Sequence, residues 1–213
     1  NVTTLIPAGT NGTFANFNNL ATDSAFVIVY HRSLLASATA YKDYRSNDIY
    51  GGQHNVVMAD IYELYDQFAY GIGRSPLSIK GFADYLIKNY PSKPQNLLLL
   101  GKGYYATTVR SSTTWYSRCL IPSFGNPASD VLLTAGVGTS VIEPAIPTGR
   151  IAAKTDTDVL TYLNKIKEYE NVATNPPAEW KKHVLHFGGG KSDQEQNLLK
   201  YYLTNYKNTI TDS

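Results

Sequence analysis

The residues of this 213-residue chain best suited to nucleophilic chemistry are one cysteine, Cys119, and four histidines, His31, His54, His183 and His186. A cysteine nucleophile needs a base within hydrogen-bond reach to draw off its proton. None of the histidines lies near Cys119 in sequence, which leaves their proximity to the fold. The local setting of Cys119 points to an inert thiol. Arg118-Cys119-Leu120-Ile121 reads as the start of a short buried strand, and buried cysteines are usually packing residues. His31 directly follows the first apolar strand, at the sheet edge where ligands bind in open α/β folds. His183 and His186 are expected on one strand at odd spacing, facing opposite sides, so a shared metal is not expected. No HExxH, CxxC or calcium-loop pattern occurs, and no metal or cofactor is expected.

Gly188-Gly189-Gly190-Lys191-Ser192 sits between an expected strand and an expected helix, where a phosphate loop would sit. A phosphate loop needs glycine five positions before its second Gly, and that position is Leu185. The three glycines therefore read as a tight turn using positive φ. Ser192-Asp193-Gln194-Glu195 has the spacing of a capping box, with Ser192 as N-cap. Thr155-Asp156-Thr157-Asp158 likewise reads as a helix start, with a cap and acids near the positive end of the dipole.

These groups hang on an alternating series of elements. Strands are expected over 25–30, 55–59 and 96–100, and helices over 33–47, 61–68, 75–89 and 156–170. Asn96–Leu100 is apolar along its run and stops at Gly101, which fits a strand buried on both faces. The 75–89 helix should present Ile79, Phe82, Leu86 and Tyr90 inward. The 156–170 helix should present Val159, Leu160, Leu163 and Ile166. Residues 101–143 read as a long loop with short strands near 120–121 and 131–133. A second unit opens with a strand over 180–187 and a helix over 192–206. Strands alternating with helices of this length predict a mainly parallel sheet with helices on both faces. The expected organisation is a linker or edge segment over 1–24, a first α/β subdomain over 25–170, a Pro-Pro linker over 171–179, and a strand-helix unit over 180–213.

Net charge of +2 with no basic run excludes a dedicated nucleic-acid binder. No apolar stretch approaches the length of a membrane-spanning helix. The chain holds 17 Tyr against 7 Phe, and its single Cys permits no internal disulfide. A Tyr-, Thr- and Asn-rich chain of this kind suits a secreted or surface protein.

Several segments, in one order, resemble the gingipain-type cysteine peptidases, a family that includes the type IX secretion sortase. Phe26–His31 resembles the opening strand, and Tyr41-Lys-Asp-Tyr-Arg45 a helix end. Asp60-Ile-Tyr-Glu-Leu-Tyr-Asp-Gln-Phe-Ala-Tyr-Gly71 is similar to DIYNEFSYG, and Ser78–Phe82 to the helix that follows. Leu97–Gly103 resembles LLLGDG, with Lys102 where the family has Asp. Ala128-Ser-Asp130, Ile146–Thr155, and Lys165–Glu170 followed by Trp180 complete the series over roughly residues 25–210.

The resemblance implies a three-layer caspase-like or Rossmann-like α/β sandwich in two subdomains. It implies a secreted or bacterial cell-surface, outer-membrane-associated cysteine endopeptidase or sortase-like transpeptidase acting on a protein or peptide. In that family the catalytic Cys and His lie in the second subdomain, in Ala-Cys and His-Gly contexts. This chain has neither context, so no catalytic residue is assigned to it, and its expected partner is the remainder of the catalytic domain. The turn at Ser192 and Asp193 is expected to border the substrate cleft, where an acid receives a basic P1 side chain in arginine-specific members. His31 and Lys102 are further cleft-edge candidates. The alternatives are a non-catalytic surface scaffold or binding module of the same fold, and a flavodoxin-like ligand binder.

Overall fold

The computed structural model describes residues 12–18, 24–138, 141–171 and 183–211. Four parallel strands form one sheet: β1 Phe26–Tyr30, β2 Val56–Asp60, β3 Asn96–Leu100 and β4 Thr148–Ile151, in the order β2-β1-β3-β4. The central strands β1 and β3 have the sequences FVIVY and NLLLL, and both of their faces are covered. The edge strand β2 alternates, with Val57 and Ala59 buried and their neighbours half-exposed, as expected where only one face is fully packed.

Residue alternation along β1 and β3 divides the core in two. Ile28, Leu98 and Leu100 pack with Leu34 and with helices α1 (Leu35–Asn47) and α6 (Asp156–Glu170) through Ala38, Tyr41, Val159 and Leu163. Val27, Val29, Leu97 and Leu99 pack with α2 (Ile61–Phe68) and α3 (Leu77–Asn89) through Ile61, Leu64, Ile79, Phe82 and Leu86. The layers are helix, sheet, helix, as the sequence predicts. Phe17 joins the second core, its ring centroid 4.8 Å from that of Phe82, so this part of the expected linker or edge segment lies against the fold.

Four details differ from the sequence reading. Leu160 is 40% exposed, because it lies about 100° round α6 from the buried Val159 and about 60° from the buried Leu163, to one side of the sheet-facing stripe. The helix expected over 75–89 starts at Leu77, with Pro76 (φ −67°) at the cap position and no side-chain cap hydrogen bond. Residues 101–143 carry short helical elements within the loop: α4 (Ala106–Ser111), α5 (Thr113–Arg118) and a 3-10 turn over Asp130–Leu133 where a strand was expected. The 120–121 segment is a bend and joins no sheet. The Leu120 and Ile121 N–H groups instead donate to the Lys102 carbonyl, at 2.9 and 3.3 Å.

The chain divides into two compact units, 1–171 and 172–213. In the second, α7 spans Asp193–Thr211. Most of the expected linker, and residues 180–182 of the expected strand, lie outside the described residues. His183–Phe187 form no strand: no ladder pairs with them among the described residues, and Leu185 and Phe187 are exposed. The glycine turn also departs from expectation, since neither Gly188 nor Gly190 has positive φ. Close approach to backbone requires glycine at 190, whereas at 188 the neighbour is a leucine side-chain end. A Cβ at 188 would lie 2.7 Å from Leu203 Cδ1, and one at 190 would lie 2.9 Å from the Gln196 N.

Candidate cleft edge at the carboxyl end of the sheet

The carboxyl ends of β1, β2, β3 and β4 deliver His31, Asp60, Lys102 and Arg150 to one region of the first unit. Parallel register sets this: Tyr30 pairs with Asp60 and with Leu100, and Leu100 with Ile151.

Arg150 anchors the loops here. Its guanidinium grips Asp130 in two parallel bonds, Nε to Oδ2 at 2.7 Å and Nη2 to Oδ1 at 2.8 Å. It also donates to the carbonyls of Gly101 (2.7 Å), Ile121 (2.9 Å) and Pro122 (3.0 Å). Ser123 Oγ donates to the same carboxylate at 2.7 Å. Burial alone would raise the Asp130 carboxyl; the Arg150 hydrogen bonds and charge outweigh it and hold the group below its ordinary value. A fork-shaped donor suits this task, because one planar group satisfies a carboxylate and several carbonyls at once.

A second clamp joins α1 to α6. Arg45 Nη1 and Nη2 donate to both Glu170 oxygens at 3.1 Å, and Tyr44 OH donates to Glu170 Oε2 at 2.7 Å. A third lies beside β1 and β2. Asp60 accepts from the Tyr62 N–H at 3.0 Å, capping α2, and pairs with Arg32 at 3.2 Å. The helix start at Thr155 is a full capping box with Asp158.

His31 belongs to the third cluster. Its Nδ1 accepts from the Ser33 N–H at 3.2 Å, which leaves the proton on Nε2, 3.3 Å from Tyr62 OH. Its ring lies 5.3 Å from the Tyr62 ring, and the residue is 8% exposed. Burial, then the charges of Arg74 and Arg32, push His31 down to about 4, so it is neutral at physiological pH. Lys102 sits at the same sheet edge but in a different setting. Its backbone N–H donates to the Ala153 carbonyl at 2.9 Å and its Nζ lies 5.3 Å from the Tyr104 ring centroid. The backbone therefore holds the loop at the position where the family carries Asp.

Cys119 ends α5 and is fully buried. Burial pushes its thiol up, against a backbone hydrogen bond from Tyr104 and the charges of Arg74 and Arg150. No histidine is among the groups that act on it. The expected buried strand at this point is a helix end, but the burial of Cys119 is as the sequence implies.

In the second unit, Ser192 Oγ accepts from the Glu195 N–H at 3.3 Å, and Glu195 reaches back to the Lys191 N–H at 2.8 Å. This is a helix-start arrangement close to the expected capping box. His183 and His186 line the same groove against α7, with Leu203 and Lys207, because the segment is not a strand and strand alternation does not apply.

The model for peptidase family C25 matches residues 19–213 of the chain. The chain belongs to peptidase family C25, the gingipain family. Comparison with curated proteins gives no match. Among solved structures, this C25 chain is similar to the crystal structure of dimeric latent PorU from Porphyromonas gingivalis. The TM-score is 0.53 at 18% identity, over 81% of this chain and 18% of the PorU chain. The chain thus spans less than a fifth of that neighbour, and the likeness is one of fold.

Most of the segments that carry the family resemblance supply the three clamps. Tyr44-Arg45 and Glu170 form one, Asp60 and Tyr62 the second, Asp130 and Arg150 the third. The sequence marks these residues but not the pairings of Arg45 with Glu170, Arg32 with Asp60 and Arg150 with Asp130, whose partners lie 125, 28 and 20 positions apart.

Proposed function

We propose that this chain is the supporting subdomain, with the opening of the catalytic subdomain, of a secreted or cell-surface gingipain-type cysteine endopeptidase or sortase-like transpeptidase. In that chemistry a thiolate attacks a peptide carbonyl, a histidine carries the proton, and the acyl-enzyme passes to water or to an amine. The thiolate and its histidine belong to the remainder of the catalytic domain, which is this chain's partner. Membership of family C25 supports the reaction class. The observation that carries the supporting role is Cys119, buried, with its thiol pushed up by desolvation, which is the opposite of an activated nucleophile.

In this reading His31 and Lys102 are cleft-edge residues at the sheet edge of the first unit, and Ser192 and Asp193 are substrate-binding residues at the start of α7 in the second. Asp193, in the first turn of α7, offers a carboxylate to a basic P1 side chain. No described helix is long and apolar enough to cross a membrane.

The experiment is turnover of a fluorogenic peptide panel. The purified chain is expected to give no thiol-inhibitor-sensitive hydrolysis; turnover that vanishes in Cys119→Ala overturns the reading. In the full-length enzyme, Asp193→Asn is expected to lower kcat/KM for Arg or Lys substrates at least about tenfold and to spare uncharged ones. An equal, small effect on all substrates leaves Asp193 as a helix-start residue.

A further inference from the structure

The loops after β3 and β4 enclose a recess of about 410 Å3, lined by Tyr104, Arg118, Leu120 and Lys154. A third cation, Lys102, lies beside one lining residue, with its Nζ 5.3 Å from the Tyr104 ring centroid. The Arg118 guanidinium lies 5.3 Å from the Trp115 ring, and Tyr104 meets Trp115 edge-on at 5.1 Å. The two aromatic rings thus hold two of the cations around one concavity.

These cations are not consumed by ion pairs. The pairs among the described residues are Arg32–Asp60, Arg45–Glu170, Lys88–Asp84 and Arg150–Asp130, and Lys102, Arg118 and Lys154 take part in none. The acid that feels Lys154 is Asp158, whose Oδ2 is occupied by the Lys154 and Thr155 N–H groups at 2.8 and 3.0 Å. Cations of one sign around a concave, partly apolar wall gather anions. The volume suits a side chain or a small ligand group.

We propose that this recess binds the carboxylates of an acidic peptide segment, with Lys102, Arg118 and Lys154 as the cations and Tyr104 and Leu120 against the aliphatic part of the Asp or Glu side chain. The anion chemistry rests on the recess alone; the choice of a peptide rests on the proposed peptidase role. Lysine and arginine together suit carboxylates that arrive in more than one pose, since Arg118 can bind bidentately while the lysines act as point charges.

The test reads Trp115 emission in the full chain carrying Trp180→Phe, so that Trp115 is the reporting tryptophan. The probes, at low ionic strength, are a capped Ala-Glu-Glu-Glu-Ala peptide, its Gln counterpart and inorganic phosphate. The Glu peptide is expected to shift the emission saturably and the Gln peptide to leave it unchanged. Arg118→Gln with Lys154→Gln, both exposed positions, should weaken the Glu peptide at least about tenfold. Equal responses to the two peptides, or undiminished affinity in the double variant, overturn the proposal. Binding of phosphate without the Glu peptide also overturns it, in favour of a free-anion site. Because the readout is binding, this result stands apart from the turnover result that tests the peptidase role.

Discussion

Arg150→Ala is expected to destabilise the first unit by about 3–5 kcal/mol, the range for removing one partner of a buried ion pair. The side chains of Arg150 and Asp130 are 10% and 23% exposed, so water can only partly replace the lost guanidinium. The substitution strands the Asp130 carboxylate and removes the donor shared by the Gly101, Ile121 and Pro122 carbonyls. Those carbonyls belong to the loop between β3 and the Asp130 turn, so the loss should loosen 101–130 before the sheet. Urea unfolding of Arg150→Ala, Asp130→Asn and the double variant checks this. The double variant should cost much less than the sum of the singles. A cost below about 1 kcal/mol for Arg150→Ala, the level of a surface pair, contradicts the clamp.

Acid is expected to weaken the fold through His31. Its folded value is about 4, below the ordinary 6.5 of an exposed imidazole, because burial and then Arg74 and Arg32 oppose its charging. The folded value is the depressed one, so the contribution is complete above pH 6.5. It is lost as pH falls from 6.5 to about 4, where the unfolded chain takes up the proton and the folded chain does not. Linkage gives about 1.4 kcal/mol per pH unit across that window, an upper bound of roughly 3.5 kcal/mol that residual solvent access lowers. Burial also raises the Asp60 carboxyl, so the effect of His31 is isolated by comparison with His31→Asn. Unfolding free energies at pH 7 and pH 4.5 should show a steeper loss in the parent chain than in the variant. Parallel slopes contradict a buried neutral His31.

The sheet and its helices were legible because their signals are local. FVIVY and LLLL (Leu97–Leu100) are near-continuous apolar runs, as doubly covered strands are, and the α3 stripe of Ile79, Phe82 and Leu86 repeats at helical spacing. Thr155 and Asp158 announced α6 by chemistry that completes itself within four residues. Residues 101–143 were not legible because their order comes from afar. Arg150 fixes Gly101, Ile121 and Asp130, and no window of sequence contains those partners together. Val131–Leu133 read as a strand on composition and is a 3-10 turn, with Leu133 buried against the α2–α3 face. His183 and His186 were misplaced for a similar reason. Strand alternation was assumed where no neighbouring strand pairs with them among the described residues. The cationic recess escaped the sequence reading too, since Lys102, Arg118 and Lys154 come from three separate segments.

The central claim is that this chain supports the reaction of a family C25 peptidase without supplying its nucleophile. The most direct measurement is labelling of the full-length protein with a peptide-based, thiol-directed affinity probe, followed by mass mapping of the modified cysteine. The account predicts stoichiometric labelling of a cysteine outside this 213-residue chain, with Cys119 unmodified until the fold is denatured. Labelling of Cys119 in the native protein, with matching loss of peptidase activity, would contradict it.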